Sequence, residues 1–178
     1  MRMDEKELEL RAAMDAAVRM CAAARTAPKA CGIDRLHTMI LTGAEKDALS
    51  TELRRLSETQ NIPFYGRDAG NLDASLAVVL IGTEEAQRGL GEGCGYCHMG
   101  SCEGCLEKNG VCVFDPMDLG IALGSAAATA ADLRVDTRIM YSVGKAALSL
   151  CLFGENVKMV VALPISISGK SPFFDRKK

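Results

Sequence analysis

The chain has 178 residues, nearly half of them hydrophobic, enough to bury one full core and too apolar for a disordered protein. Lys and Arg together number 21 against 23 Asp and Glu, so there is no basic excess of the kind that binding nucleic-acid phosphates requires. The opening residues "MRMDEKELEL" put charges where a signal peptide carries its apolar core, and "LGIALGSAAATAA" (119–131) is too short and too rich in Ala and Gly to span a bilayer. A cytoplasmic protein is expected, in which eight cysteines serve as metal ligands or core thiols rather than disulfides.

Residues 4–25 read as a helix. Asp4 and Glu7 form a capping-box pair, and Leu10, Met14, Ala17, Cys21 and Ala24 recur at helical spacing, with Cys21 read as a small apolar core residue. Pro28 in "TAPKACG" ends that helix. "LHTMILTG" (36–43) reads as a strand that begins at a structural His37, and 44–60 as a helix with Leu49, Leu53 and Leu56 on one face. "SLAVVLIG" (75–82) is a continuous β-branched and leucine run suited to burial on both faces.

A third helix opens at Asp115-Pro116, where Gly120, Gly124 and Ala128 form a smooth stripe that suits a packed helix or a flat ligand. Residues 137–143 read as a strand or extended link, 144–153 as a short helix and 157–167 as a final strand. Asp132, Asp136 and Arg138 have the spacing of a salt-bridged turn, and Phe173 and Phe174 look exposed in the tail. Helices and strands mix without β-α-β alternation, which favours α+β. The whole of 1–178 reads as one domain with a cysteine-rich insertion at about 89–114.

The insertion holds the chemistry. "CGYCHMGSCEGCLEKNGVC" (94–112) places five cysteines in nineteen positions among glycines. Cys94-x-x-Cys97-His98 matches a haem-attachment motif, but covalent haem is normally attached outside the cytosol, and three cysteines are then unexplained. The pairs Cys94/Cys97 and Cys102/Cys105 supply a tetrahedral zinc set, although the four residues between the knuckles are few. Crowded spacing suits a [4Fe–4S] cluster better, with Cys94, Cys97 and Cys102 as ligands and either Cys112 or Cys105 as the fourth. No Ser-His-Asp arrangement, phosphate loop or paired acid and base is visible.

"CGYCHMGSC", with "DLGIALGSAAATAADLRVDTRIMYSVGKAAL" and "PISISGKSPFFDR", closely resembles a family of uncharacterised proteins named for a ferredoxin-type domain. His98 stands where a second glycine is usual. In that family the distal ligand corresponds to the cysteine of Cys112-Val113-Phe114, which implies Cys112 rather than Cys105.

"AAARTAPKACG" is more distantly similar to a turn of the FMN-dependent nitroreductases. That resemblance implies a mixed sheet flanked by helices, a homodimer, and FMN near Arg25, Lys29, Gly120, Gly124, Gly144 and Arg176. The paired N-terminal arginines of those enzymes have no counterpart, and Lys29 replaces a serine. The expected function is electron transfer between a [4Fe–4S] cluster and FMN or a partner, the partner being a redox protein or a small-molecule acceptor; with FMN it would be a flavin-dependent oxidoreductase. The competing reading is a non-enzymatic accessory protein whose loop is ordered by zinc or a structural cluster.

Overall fold

The computed structural model describes residues 2–174. In chain order the elements are α1 (Glu5–Thr26), β1 (Leu36–Thr42), α2 (Gly43–Thr59), α3 (Pro63–Asp73), β2 (Ala77–Glu84), α4 (Cys102–Glu107), α5 (Phe114–Asp132), β3 (Asp136–Thr137), α6 (Tyr141–Ser149) and β4 (Val157–Ser166). The strands form one four-stranded sheet in the order β1-β2-β4-β3. Every neighbouring pair is antiparallel, which corrects the expectation of a mixed sheet. The cause is the helical hairpin α2–α3. Two helical passes return the chain to the end of the sheet that β1 left, so β2 runs back beside it.

Burial on both faces of β2 builds three layers. Val79 and Ile81 face α1 and α5, whereas Val78 and Leu80 face α2, α3 and α6. On the first side Ala13, Ala17, Met20 and Ala24 meet Leu119, Ala122, Ala126 and Ala130. On the second, Leu49, Leu53 and Leu56 of α2 pack with Tyr65, Leu72, Val143 and Ala147. Area removed from water on both faces is the main stabilising term.

The capping box on α1 forms as read: Asp4 Oδ1 accepts from Glu7 N at 2.9 Å, and Asp4 N donates to Glu7 Oε2 at 3.0 Å. Its buried face, however, is Ala13, Ala16, Ala17, Met20 and Ala24, while Leu10 is exposed. Close approach of α1 to α5 selects alanines over most of that face, with Met20 the larger side chain buried among them. Helix α3 was not anticipated, although Tyr65, Ala69 and Leu72 are buried at helical spacing behind Pro63. Of 137–143, read as a strand or an extended link, only Thr137 belongs to a strand, β3, and Met140 makes a single bridge to Ala162. Helix α6 starts at Tyr141 instead. Phe173 is buried at 4% exposure in the second layer and only Phe174 is open, so the two phenylalanines differ. Among the described residues no ion pair joins Asp132, Asp136 and Arg138. His37 contacts Glu84 across β1 and β2, Nε2 to Oε1 at 2.9 Å.

Candidate functional site

The cysteine segment leaves the end of β2 and rejoins the fold at the start of α5. Between Cys94 and Cys97 the backbone turns tightly, His98 N donating to Gly95 O at 3.1 Å. Gly95 and His98 both sit in the left-handed region, with φ of 66° and 59°. That explains why glycine is the usual residue at the position His98 fills: a residue with a Cβ is strained there. Ser101 then caps α4 by accepting from Gly104 N at 3.1 Å, so part of the expected irregular loop is helical.

This path brings the sequence-selected cysteines together. Cys94, Cys97, Cys102 and Cys112 line one small cavity of about 20 Å³, and Cys105 lines it as well. Arg88 and Phe114 complete much of the wall. Among the described residues no three Cys, His, Asp or Glu side chains converge at the spacing of ligands to a single ion.

Cys105 differs from its neighbours. It is buried, and its Sγ donates to Gly110 O at 3.2 Å. A Cβ on Gly110 would stand 3.1 Å from that sulfur, so a larger residue there would press on Cys105 beneath the returning chain. Burial pushes the Cys105 thiol up; a hydrogen bond from Gln87 opposes this, and the adjacent Cys97 and Cys112 add to the rise.

Beside the cavity lies a buried ion triad that sequence reading did not find. Arg88 Nη1 lies 2.6 Å from Asp115 Oδ1 and Nη2 lies 2.9 Å from Asp118 Oδ2, the side chains being 1%, 0% and 3% exposed in the order Arg88, Asp115, Asp118. Asp115 Oδ2 also accepts from Ala86 N at 3.0 Å, and Asp118 Oδ1 from Ala30 N at 3.1 Å. The triad therefore ties the cysteine segment to α5 and to the turn after α1. Burial opposes the charge on Arg88, but Asp118 and Asp115 outweigh it and hold the guanidinium protonated. Burial raises the Asp115 carboxyl, against the pull of Ala86 N–H and Arg88. Asp115 and Asp118, three apart ahead of an apolar run, were the available signal; that Arg88 lies between them was not legible.

The residues proposed for flavin do not converge. Arg25 pairs with Asp34 at 2.7 Å and donates to Leu36 O, and Lys29 donates to Arg25 O. Arg25 lines a hollow with Arg35, His37 and Phe153, whereas Gly120 lines a different groove with Leu123, Tyr141, Lys145, Lys158 and Met159. Gly120 and Gly124 face solvent with nothing within 4 Å of an added Cβ, so the small-residue stripe does not serve helix packing within the chain. Gly144 does: its added Cβ would lie 1.8 Å from Val160 O. Arg176 lies outside the described residues.

Frame and loop together define an α+β protein of nitroreductase-like fold that carries a cysteine-ringed cavity. The frame is shared with nitroreductase CinD from Lactococcus lactis in complex with nicotinic acid, at TM-score 0.61 and 15% identity over 98% of this chain and 86% of that one. It is shared too with a putative nitroreductase in complex with FMN from Desulfovibrio desulfuricans, at TM-score 0.58 and 15% identity over 92% and 80%. At such identities the likeness is one of fold. The chain itself belongs to the family described as "Uncharacterized protein containing a ferredoxin domain (DUF2148)", which matches residues 108–176. It is 37% identical, over 186 residues, to an uncharacterised protein of Archaeoglobus fulgidus, covering 99% of this chain and 98% of that protein. The matched segment contains Cys112 and begins after the other four ring cysteines. Among the described residues no helix is long and apolar enough to cross a membrane.

Proposed function

We propose that Cys94, Cys97, Cys102 and Cys112 hold a [4Fe–4S] cluster and that the protein transfers electrons to a partner protein or a small-molecule acceptor. The observation that carries this reading is the gathering of these thiols around one cavity, in a segment with little apolar core of its own. Such a cluster, when bound, supplies one-electron transfer. The residues fit it: five soft thiols line one cavity, and a compact inorganic cube takes four thiolate ligands from such a crowded set. Cys112 is preferred as the fourth ligand because the Cys105 thiol is already committed to Gly110 O. Phe114, in the same wall, would shield one side of the cluster from water.

FMN is the second reading, favoured by the groove beside Gly120. That groove holds about 350 Å³ with apolar walls from Leu119, Leu123 and Val161, and Lys145 and Lys158 line it for a phosphate. It adjoins the exposed α5 face of Met117, Gly120, Ile121 and Gly124, on which a homodimer would meet. A bound flavin would exchange one-electron for two-electron chemistry.

The test is a dithionite titration of protein purified without oxygen. Visible absorption that bleaches and returns on reoxidation supports electron transfer. Absorption indifferent to reductant would contradict it and favour an accessory protein whose metal only orders the loop.

A further inference from the structure

The wall of the cysteine cavity contains one buried cation whose hydrogen-bonding capacity is unfilled. Arg88 Nη1 serves Asp115 and donates to Ala86 O at 3.1 Å, and Nη2 serves Asp118. Its Nε–H is buried and has no partner among the described residues. A buried donor left unpaired is costly, the more so on a charged group, so an acceptor is expected beside it. The side chain cannot swing away to find water, because two carboxylates grip the far edge of its plane and each is anchored in turn by a backbone N–H. Neutralising the aspartates accounts for the two Nη atoms; it does not account for Arg88 lining the cavity.

We infer that Arg88 is a positioning residue that donates Nε–H to a sulfur of the cluster, either a cysteine thiolate or a bridging sulfide, and so raises its reduction potential. The inference rests on the cluster reading above. A hydrogen bond to sulfur is strengthened when an electron adds negative charge, so it favours the reduced form. Lysine cannot replace it, having a point charge where Arg88 has a planar fork that serves two aspartates and a third acceptor at once.

The experiment uses full-length protein with its cluster, labelled with ¹⁵N at arginine Nε and reduced by one electron. Hyperfine spectroscopy should detect a ¹⁵N nucleus and an exchangeable proton coupled to the cluster; among the described residues Arg88 is the arginine in that wall. In Arg88→Lys both couplings should vanish, and the reduction equilibrium should move at least tenfold toward the oxidised form, about 59 mV for one electron. A lysine variant with the original potential, or labelled wild-type protein with a cluster and no ¹⁵N coupling, would overturn the role of Arg88 alone. If Arg88→Lys does not fold, the labelled wild-type protein still decides. Wild-type protein that takes up no iron would overturn the cluster reading, and this inference with it.

Discussion

Gly144 offers a direct test of whether a glycine selected for flavin contact is there for packing. A methyl group added at that position on α6 would meet Val160 O at 1.8 Å, Val160 C at 2.5 Å and Val161 Cα at 3.0 Å. All three are backbone atoms of β4, fixed by pairing with β2, so relief requires moving the helix. Overpacking costs about 1–3 kcal/mol, and a contact this short against backbone belongs at the upper end. Alanine regains about 1 kcal/mol of helix propensity, leaving Gly144→Ala about 2 kcal/mol less stable. At about 2–4 °C per kcal/mol for a chain of this size, the melting temperature should fall by about 4–8 °C. Gly120→Ala and Gly124→Ala are the controls. Nothing lies within 4 Å of either added Cβ, so each should gain up to about 1 kcal/mol. Thermal unfolding followed by circular dichroism on cofactor-free protein measures all three. A Gly144→Ala protein as stable as wild type would refute the helix–strand contact. Destabilisation by the controls would mean that a second subunit covers the α5 face.

Cys94→Ala, Cys97→Ala, Cys102→Ala and Cys112→Ala should each lose bound iron while Cys105→Ala retains it; retention by Cys112→Ala with loss by Cys105→Ala would reverse the choice of fourth ligand. Arg55, with Ser149, holds the Glu52 carboxyl down from 4.5 to about 2. Its folded pKa is depressed, so the stability it adds is present above about 4.5 and lost as pH falls toward 2. The melting-temperature gap between wild type and Glu52→Gln should close over that range, and a constant gap would contradict the pairing. Phe173→Ala should cost about 3 kcal/mol or more in the same melts, since the ring is buried in the second layer. Trimming after Phe174 keeps that ring and removes Arg176; unchanged FMN titration and sedimentation of the trimmed protein would exclude Arg176 from flavin binding and subunit association.

Legibility followed the range of the interactions. Strand β2 announced itself because burial on both faces demands an unbroken apolar run, and α1 because both halves of its capping box lie within four residues. On α1 the stripe was right at Ala17, Ala24 and Cys21 and wrong at Leu10, which is exposed because close helix packing uses the alanines. The sheet's antiparallel pairing depends on α3, whose short run of Tyr65, Ala69 and Leu72 was passed over. At the site the cysteines were legible through their spacing and glycine context, local features of one segment. Arg88, Asp115 and Asp118 were not, since their pairing spans 27 and 30 residues and each alone reads as a surface charge. Gly144 looked like a cofactor glycine in sequence; only the position of the Val160 carbonyl shows why a side chain is excluded there.

The central claim is tested most directly by measuring iron, acid-labile sulfide and zinc on one sample of wild-type protein purified without oxygen. A [4Fe–4S] centre held by Cys94, Cys97, Cys102 and Cys112 predicts brown protein with about four iron and four sulfide per chain and little zinc. Colourless protein with one zinc per chain and no sulfide would contradict it.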